Sequence, residues 1–359
     1  MPKLQIDDRL VEVSPGSTVL EAARRLGIAV PTMCFREGLE PSTSCMLCVV
    51  KDEGRGRLIP ACAARAEEGM RIRSADEDVR RSRRATLELL FSEHVGDCEA
   101  PCARVCRSEL DIPRLLRRVA AGDWEGAAAV VREGRGSPDD PCQGCEAVCE
   151  QACRRGHHDG PLTIRRIVRE VHAWGIARGP GRLSEPEAPP PSRRRSRFNC
   201  AMGRLKDGEM EEFIKDASCA PPLGGPPEQP AGPRASQEAA RCLGCDCRKA
   251  ATCLLRRYAQ EYAVRPREYQ PDERPRFRRV RGHPSVVYEP GKCIRCGLCV
   301  KITALRREPL GLTFLQRGFD MEVGVPFGAP LSAGLVFSAE ECVQACPTAA
   351  LAFWDRGPA

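Results

Sequence analysis

Four soft metal ligands recur at a constant step in the stretch HVGDCEAPCARVC: His94, Cys98, Cys102 and Cys106. On a straight helix a step of four advances about 40° past a full turn and rises about 6 Å, which would set His94 and Cys106 about 18 Å apart and about 120° round the axis. No single metal centre spans that distance. The run must be divided between two centres.

A second ladder, CQGCEAVCEQAC, supplies Cys142, Cys145, Cys149 and Cys153 and again ends in steps of four. Two ladders, each too long for one centre, predict two helical segments that lie side by side and exchange terminal ligands, as in two-cluster ferredoxins. The expected division gives His94, Cys98, Cys102 and Cys153 to one [4Fe–4S] cluster and Cys106, Cys142, Cys145 and Cys149 to the other. His94 alone would be read as a capping or solvated residue; its phase with three cysteines makes it equally a ligand. If it is not one, the fourth position is water or vacant. A histidine ligand would raise the reduction potential, as it does in Rieske centres. His157 and His158, in a GHHDG turn, are expected to be exposed.

Cysteine is abundant along the whole chain, 22 in 359 residues. Disulfides are the first explanation to weigh, but the N-terminus MPKLQIDDRLVEV has no basic-then-apolar signal region and no apolar run reaches membrane-spanning length. A reducing, cytoplasmic compartment is therefore expected, with the thiols holding metal. The 31 prolines, 32 glycines and 5% aromatic content argue against one large core and for small units held by something else.

The chain reads as an α+β multidomain protein. Residues 1–13 alternate as a strand, SPGSTVLEAARRLGI follows as a capped helix, and SCMLCVV opens a second hairpin. Helical periodicity runs through VRRSRRATLELLFSEH, DIPRLLRRVAAGDWEGAAAVVREG and PLTIRRIVREVHAWG. Residues 179–236 have the Pro/Arg-rich composition of a linker, with one small helix expected at 204–216. The expected units are 1–78, 79–178, the linker, a Cys-rich helical segment at 237–265, and 285–359.

In the first unit Cys34, Cys45, Cys48 and Cys62 form a long loop closed by a distant fourth thiol. That arrangement suits a [2Fe–2S] core surrounded by backbone amides; structural zinc is the alternative. The stretches PTMCF, STSCMLCVV and LIPACAARAEEGMRI resemble the N-terminal [2Fe–2S] domain of the complex I large subunit, iron-only hydrogenases and some formate dehydrogenases. The resemblance covers residues 1–78 and implies a β-grasp ferredoxin-like fold. The stretches DIPRLLRRVAAGDWEGA and CEAVCEQACRRGHHDGPLTIRRI resemble the α-helical di-cluster domain of the glutamate synthase small subunit and of dihydropyrimidine dehydrogenase. This chain departs from that pattern at His94, near where a cysteine would stand, and at Arg107, which replaces a proline. In that family the helical unit leads into a flavin and nicotinamide domain. No G-x-G-x-x-G fingerprint occurs here, since GPGRLS runs into prolines and arginines. Any flavin must come from a partner.

Cys242, Cys245, Cys247 and Cys253 lie within twelve residues and predict a soft-metal site, either a further [4Fe–4S] cluster or zinc. Cys293, Cys296 and Cys299, with Cys346 followed by Pro347, resemble the bacterial ferredoxin motif found behind the [2Fe–2S] domain of complex I and hydrogenase subunits. Thr303 stands where a two-cluster ferredoxin would have a fourth cysteine, so one [4Fe–4S] cluster is expected and Cys342 is read as a small buried hydrophobe. Cys200 and Cys219 fall in linker-like chain and are read as incidental.

One [2Fe–2S] and three [4Fe–4S] clusters would bring the formal charge of +7 to about zero, which removes the argument for nucleic-acid binding. No nucleophile triad, phosphate loop or paired-carboxylate pocket stands out. The expected function is that of a non-catalytic electron-transfer subunit between a flavoprotein or NAD(P)-linked partner and a terminal oxidoreductase. An iron–sulfur enzyme with its own substrate chemistry, and a zinc-stabilised interaction module, are the alternatives.

Overall fold

The structure is a computed structural model, which describes residues 1–134, 140–178, 198–224, 232–269 and 274–354. The N-terminal sheet holds β1 (Lys3–Ile6), β2 (Arg9–Glu12), β3 (Val49–Asp52), β4 (Arg57–Pro60) and β5 (Arg71–Arg73) in the order β2-β1-β5-β3-β4. β1 runs parallel to β5 while the hairpin partners run antiparallel. Helix α1 (Val19–Arg25) starts at a Thr18–Glu21 capping box and buries Val19, Leu20, Ala22 and Ala23 against the sheet. Between α1 and β3 the chain makes the long loop that carries Cys34 and Cys45.

Helix α2 (Glu77–Ser92), capped by Asp76, leaves the sheet domain. Its buried Arg83 donates to the carbonyls of Val49 and Ser74 at 2.7 and 2.9 Å and to the Tyr262 hydroxyl at 3.1 Å, which fixes helix, sheet and the distant helix α10 (Leu254–Glu261) together.

The ladder from His94 to Cys106 is not one helix. Gly96 has φ +148 and Pro101 sits in the first turn of a new short helix, α3 (Pro101–Val105), so only Cys102 and the C-cap Cys106 keep helical register. The helical unit then packs α4 (Ile112–Ala120), α5 (Trp124–Glu133), α6 (Val148–Gln151) and α7 (Ile164–Arg178) round Leu115, Leu116, Val119, Val130 and Ile167. The described part of the linker-like region is packed too: Phe198, Cys200 and Met202 are buried, and α8 (Glu209–Ile214) stacks Phe213 on Phe277 at 4.2 Å. Proline and glycine there deny regular structure without preventing burial; 179–197 and 225–231 lie outside the described residues. Helix α9 (Ala235–Ala239) returns to the helical core, burying Ala235 and Ala239.

The C-terminal unit contains β6 (Val286–Tyr288), α11 (Leu298–Leu305), the hairpin β7 (Thr313–Leu315) and β8 (Glu322–Gly324), the short helices α12 (Leu331–Gly334) and α13 (Ala339–Ala345), and β9 (Leu351–Phe353). β6 pairs with β9 antiparallel. Among the described residues no helix is long and apolar enough to cross a membrane.

Candidate metal centres

At the N-terminal site the four thiols fall into two pairs. Cys48 Sγ lies 3.3 Å from Cys62 Sγ, and Cys34 contacts Cys45. Within each pair the contact acts in opposite directions: Cys45 and Cys62 are pushed up, first by hydrogen bonding to their partners and then by burial, while Cys34 and Cys48 are pulled down, first by the same contacts. All four cysteines are buried.

The C-terminal site gathers Cys293, Cys296, Cys299 and Cys346. Burial first, then the sulfurs of the other three, raise Cys299 well above its usual range. Backbone amides point at the sulfurs: Arg295 N–H donates to Cys293 at 3.4 Å and Leu351 N–H to Cys346 at 3.5 Å. As expected, Thr303 is turned to structure, its hydroxyl accepting from Leu312 N–H at 3.0 Å, and Cys342 is fully buried. Cys34 is close enough to raise Cys296, so the two sites adjoin. Lys301, on α11, donates to Glu40 O and Ser42 Oγ at 2.6 and 2.8 Å and holds the N-terminal loop against that helix.

The middle of the chain is divided differently from the expectation. One cavity is lined by His94, Cys98, Cys247 and Cys253, with Phe91, Leu255 and Arg256. Another is lined by Cys102, Cys153, Cys242 and Cys245. Where the spacing set Cys102 and Cys153 with His94 and Cys98, the break at Gly96 and Pro101 aims Cys98 away from them. The compact quartet 242–253 is itself split, two thiols to each cavity. Cys106, Cys142, Cys145 and Cys149 do come together: burial raises Cys142 and Cys149 to about 12, and Cys106 and Cys145 are among the neighbours that add to it.

In the histidine site, burial and then the charge of Lys292 lower His94 to about 4, leaving a neutral imidazole with a free nitrogen lone pair. Cys98 is raised to about 11 by burial and next by Cys247. Amides again face sulfur, from Cys200 to Cys98 at 3.4 Å and from Arg256 to Cys253 at 3.5 Å. Cys200 is thus no bystander in a loop: its backbone also accepts from Cys98 N–H at 3.0 Å. Its linker-like surroundings gave no sign of this. Cys219, His157 and His158 are exposed. Lys292 is buried and ion-paired with Glu289, and it closes over Gly96, where a Cβ would come within 2.7 Å of its Cε. Gly96→Ala is therefore expected to cost about 1–3 kcal/mol, read as a lower denaturation midpoint, because the left-handed backbone and the pinned lysine leave no room.

Two ion pairs, one buried and one partly buried, brace the join between the histidine site and the next. Arg154 pairs with Asp97, neighbour of Cys98, and also donates to Gly203 O at 3.1 Å. Arg117 grips Asp246, the residue between Cys245 and Cys247, with two hydrogen bonds of 2.8 and 2.9 Å. Burial alone would raise the Asp246 carboxyl, but Arg117 holds it well below the usual carboxylate range. Among the described residues no three His, Cys, Asp or Glu side chains meet the geometry of a single bound metal ion.

Thiol sets that are buried or partly buried, with backbone amides facing sulfur in the histidine and C-terminal sites, are those of an iron–sulfur protein. Residues 2–77 match the family described as 2Fe-2S iron-sulfur cluster binding domain, and residues 91–179 match dihydropyrimidine dehydrogenase domain II, 4Fe-4S cluster. The chain is similar to an NADH-quinone oxidoreductase subunit from Rhizobium meliloti (45% identical over 98 residues, 27% of this chain and 12% of that one). It is similar also to the NADP-reducing hydrogenase subunit HndD of Solidesulfovibrio fructosivorans (32% over 170 residues, 43% of this chain and 28% of that one). A third relative is the NADPH-Fe(3+) oxidoreductase subunit alpha of Geobacter sulfurreducens (34% over 134 residues, 37% and 15%). The chain thus spans less than a third of the length of these relatives. Its fold is shared with a chain in the crystal structure of an NAD+-reducing [NiFe]-hydrogenase in the H2-reduced state, at 18% identity and a TM-score of 0.52, covering 99% of this chain and 88% of that one.

Proposed function

We propose that this chain is an electron-transfer subunit that relays electrons between a flavin- or NAD(P)-linked partner and a terminal oxidoreductase, and that it works in the cytoplasm, where thiols stay reduced. The observation that carries the reading is the order of the five thiol-rich sites. The N-terminal site adjoins the C-terminal site through Cys34 and Cys296. The C-terminal site adjoins the histidine site through Cys346 and Cys253. Cys245 and Cys247 flank one residue and belong to consecutive sites, and Cys102 and Cys106, like Cys149 and Cys153, stand one helical turn apart at α3 and α6. The sites form a connected series.

We assign the two N-terminal pairs to the two irons of a [2Fe–2S] cluster in a β-grasp ferredoxin-like domain. The other four sets suit [4Fe–4S] clusters: Cys293, Cys296, Cys299 and Cys346; His94, Cys98, Cys247 and Cys253; Cys102, Cys153, Cys242 and Cys245; and Cys106, Cys142, Cys145 and Cys149. The donor chemistry fits, since thiolates with amide N–H bonds to sulfur are what such clusters require. Clusters rather than zinc are favoured in the helical part of the chain because residues 91–179 match a family described as holding a 4Fe-4S cluster. Bound clusters would supply one-electron exchange; the chain's own residues set their sequence, exclude water and place the Lys292 charge beside the histidine site.

Anaerobically reconstituted protein is expected to take up about five electrons per chain, one per cluster, and to return them to a one-electron acceptor with no other substrate present, followed by low-temperature electron paramagnetic resonance. A colourless zinc protein, or small-molecule turnover by the isolated chain, would overturn the reading.

A further inference from the structure

Beside the series of thiol sites lies a separate cavity of about 320 Å³, between the C-terminal end of α4, the end of α9 and the C-terminal strand. Cys242 forms part of its wall, and the rest includes Arg117, Asp216, Arg248, Arg279 and Trp354. Three guanidiniums at one small cavity require an account of where their N–H groups go. Arg117 spends two on Asp246. Arg279 donates to Glu289 at 2.8 Å, Asp216 at 3.2 Å and Gly244 O at 2.9 Å. Asp216 is occupied further by Arg281, at 2.6 Å.

Arg248 is different. Its side chain is only 8% exposed, yet its Nε and Nη1 have no hydrogen-bond partner, and the nearest carboxylate, Glu289, stands 3.9 Å from Nη1 and is already shared by Arg279 and Lys292. The guanidinium carbon lies over the Trp354 ring, 4.4 Å from its centroid, a cation–π contact that restrains the side chain. Although Arg248 follows Cys247 in sequence, it lines this cavity and not the one around Cys98, Cys247 and Cys253. A buried guanidinium with unspent donors is costly to maintain unless something accepts from it.

We propose that this cavity is a binding site for a small oxyanion, a phosphate or a carboxylate group, received by Arg248. Guanidinium is the side chain that meets both groups with a fixed fork of donors, and the volume is at the small end of ligand pockets, which excludes a dinucleotide. The anion would sit against Cys242. Resting on the proposed assignment of Cys242 to a cluster, the site also regulates: negative charge beside that centre disfavours its reduced state, and by linkage reduction loosens the anion.

The test separates binding from regulation. Calorimetric titration of the intact cluster-loaded protein with inorganic phosphate, and separately with succinate, is expected to show saturable binding of at least one of them; the stronger arm identifies the source of the oxyanion. Arg248→Gln is expected to weaken it about tenfold to a hundredfold, the worth of a charge-assisted hydrogen bond. Ala120→Phe, at an exposed position on the rim, narrows the cavity without replacing an arginine and is expected to weaken binding likewise, so the test survives if Arg248→Gln fails to fold. In a redox titration one [4Fe–4S] signal is expected to move to lower potential with the anion in the wild type and to stay in place in either variant. Absence of saturable binding, or equal binding by wild type and both variants, which would mean an adventitious ion only, overturns the site. Binding that obeys the variants with no shift in any signal overturns the regulation and leaves the site standing.

Discussion

Protein assembled with iron and sulfide under anaerobic conditions is expected to hold about 18 iron atoms per chain, two from the N-terminal site and four from each of the others. The count matters because the spacing of Cys242, Cys245, Cys247 and Cys253 suggests one compact site, which would hold a single ion or cluster of its own. The side chains are instead shared between two cavities. Cys242→Ser and Cys247→Ser are therefore expected to abolish two different [4Fe–4S] resonances, each with the loss of up to about four irons. If both substitutions removed the same resonance, or if iron fell near 14 with one zinc per chain, the division would be wrong.

Arg154→Met is expected to be the most damaging single change away from a thiol. It strands Asp97, whose side chain is wholly buried, without its partner, and breaking such a pair costs about 3–5 kcal/mol. The loss would be read in anaerobic denaturant unfolding. Arg81→Met, which removes an exposed, solvent-screened pair to Asp78, is expected to leave the denaturation midpoint unchanged. Arg154 follows Cys153 directly and its partner precedes Cys98, so the same variant is expected to disturb the resonances of two neighbouring centres while leaving the [2Fe–2S] signal intact. A uniform effect on all signals, or none on stability, would count against the bracing role.

Local pattern carried most of the regular structure. The Ser or Thr cap before the first helix falls on Thr18, the helical periodicity of residues 79–94 appears as the helix Glu77–Ser92, and the small helix expected within 204–216 is present, while the alternation over residues 1–13 is folded into the hairpin of β1 and β2 and not one strand. The quartets Cys34, Cys45, Cys48 and Cys62, and Cys293, Cys296, Cys299 and Cys346, whose fourth thiol is the distant one, are each brought together. What the spacing could not carry was the partnership of thiols far apart along the chain. A step of four reads as helix, and only the positive φ of Gly96 and the start of α3 at Pro101 break the phase between Cys98 and Cys102. Both residues are in plain view in the sequence, and together they were the signal that could have divided the ladder correctly. The pairing of Cys102 with Cys242 has no such signal, because it depends on α9 packing against α4.

The meeting of Cys98 with Cys247, whose amide donates to the Cys98 carbonyl at 3.4 Å, has a consequence for how the protein is made. A ribosome releases Cys98 early and Cys247 and Cys253 only after the whole helical excursion has emerged. Thermodynamically the delay is mild, since each doubling of an intervening loop adds only about 0.6 kcal/mol to its closure. In time it is decisive: the set from Cys106 to Cys149 can be completed on the nascent chain, whereas the two centres at the crossing must wait for the return strand. A transcript cut short before Cys242 would yield a product with both ends of the series begun and its middle missing.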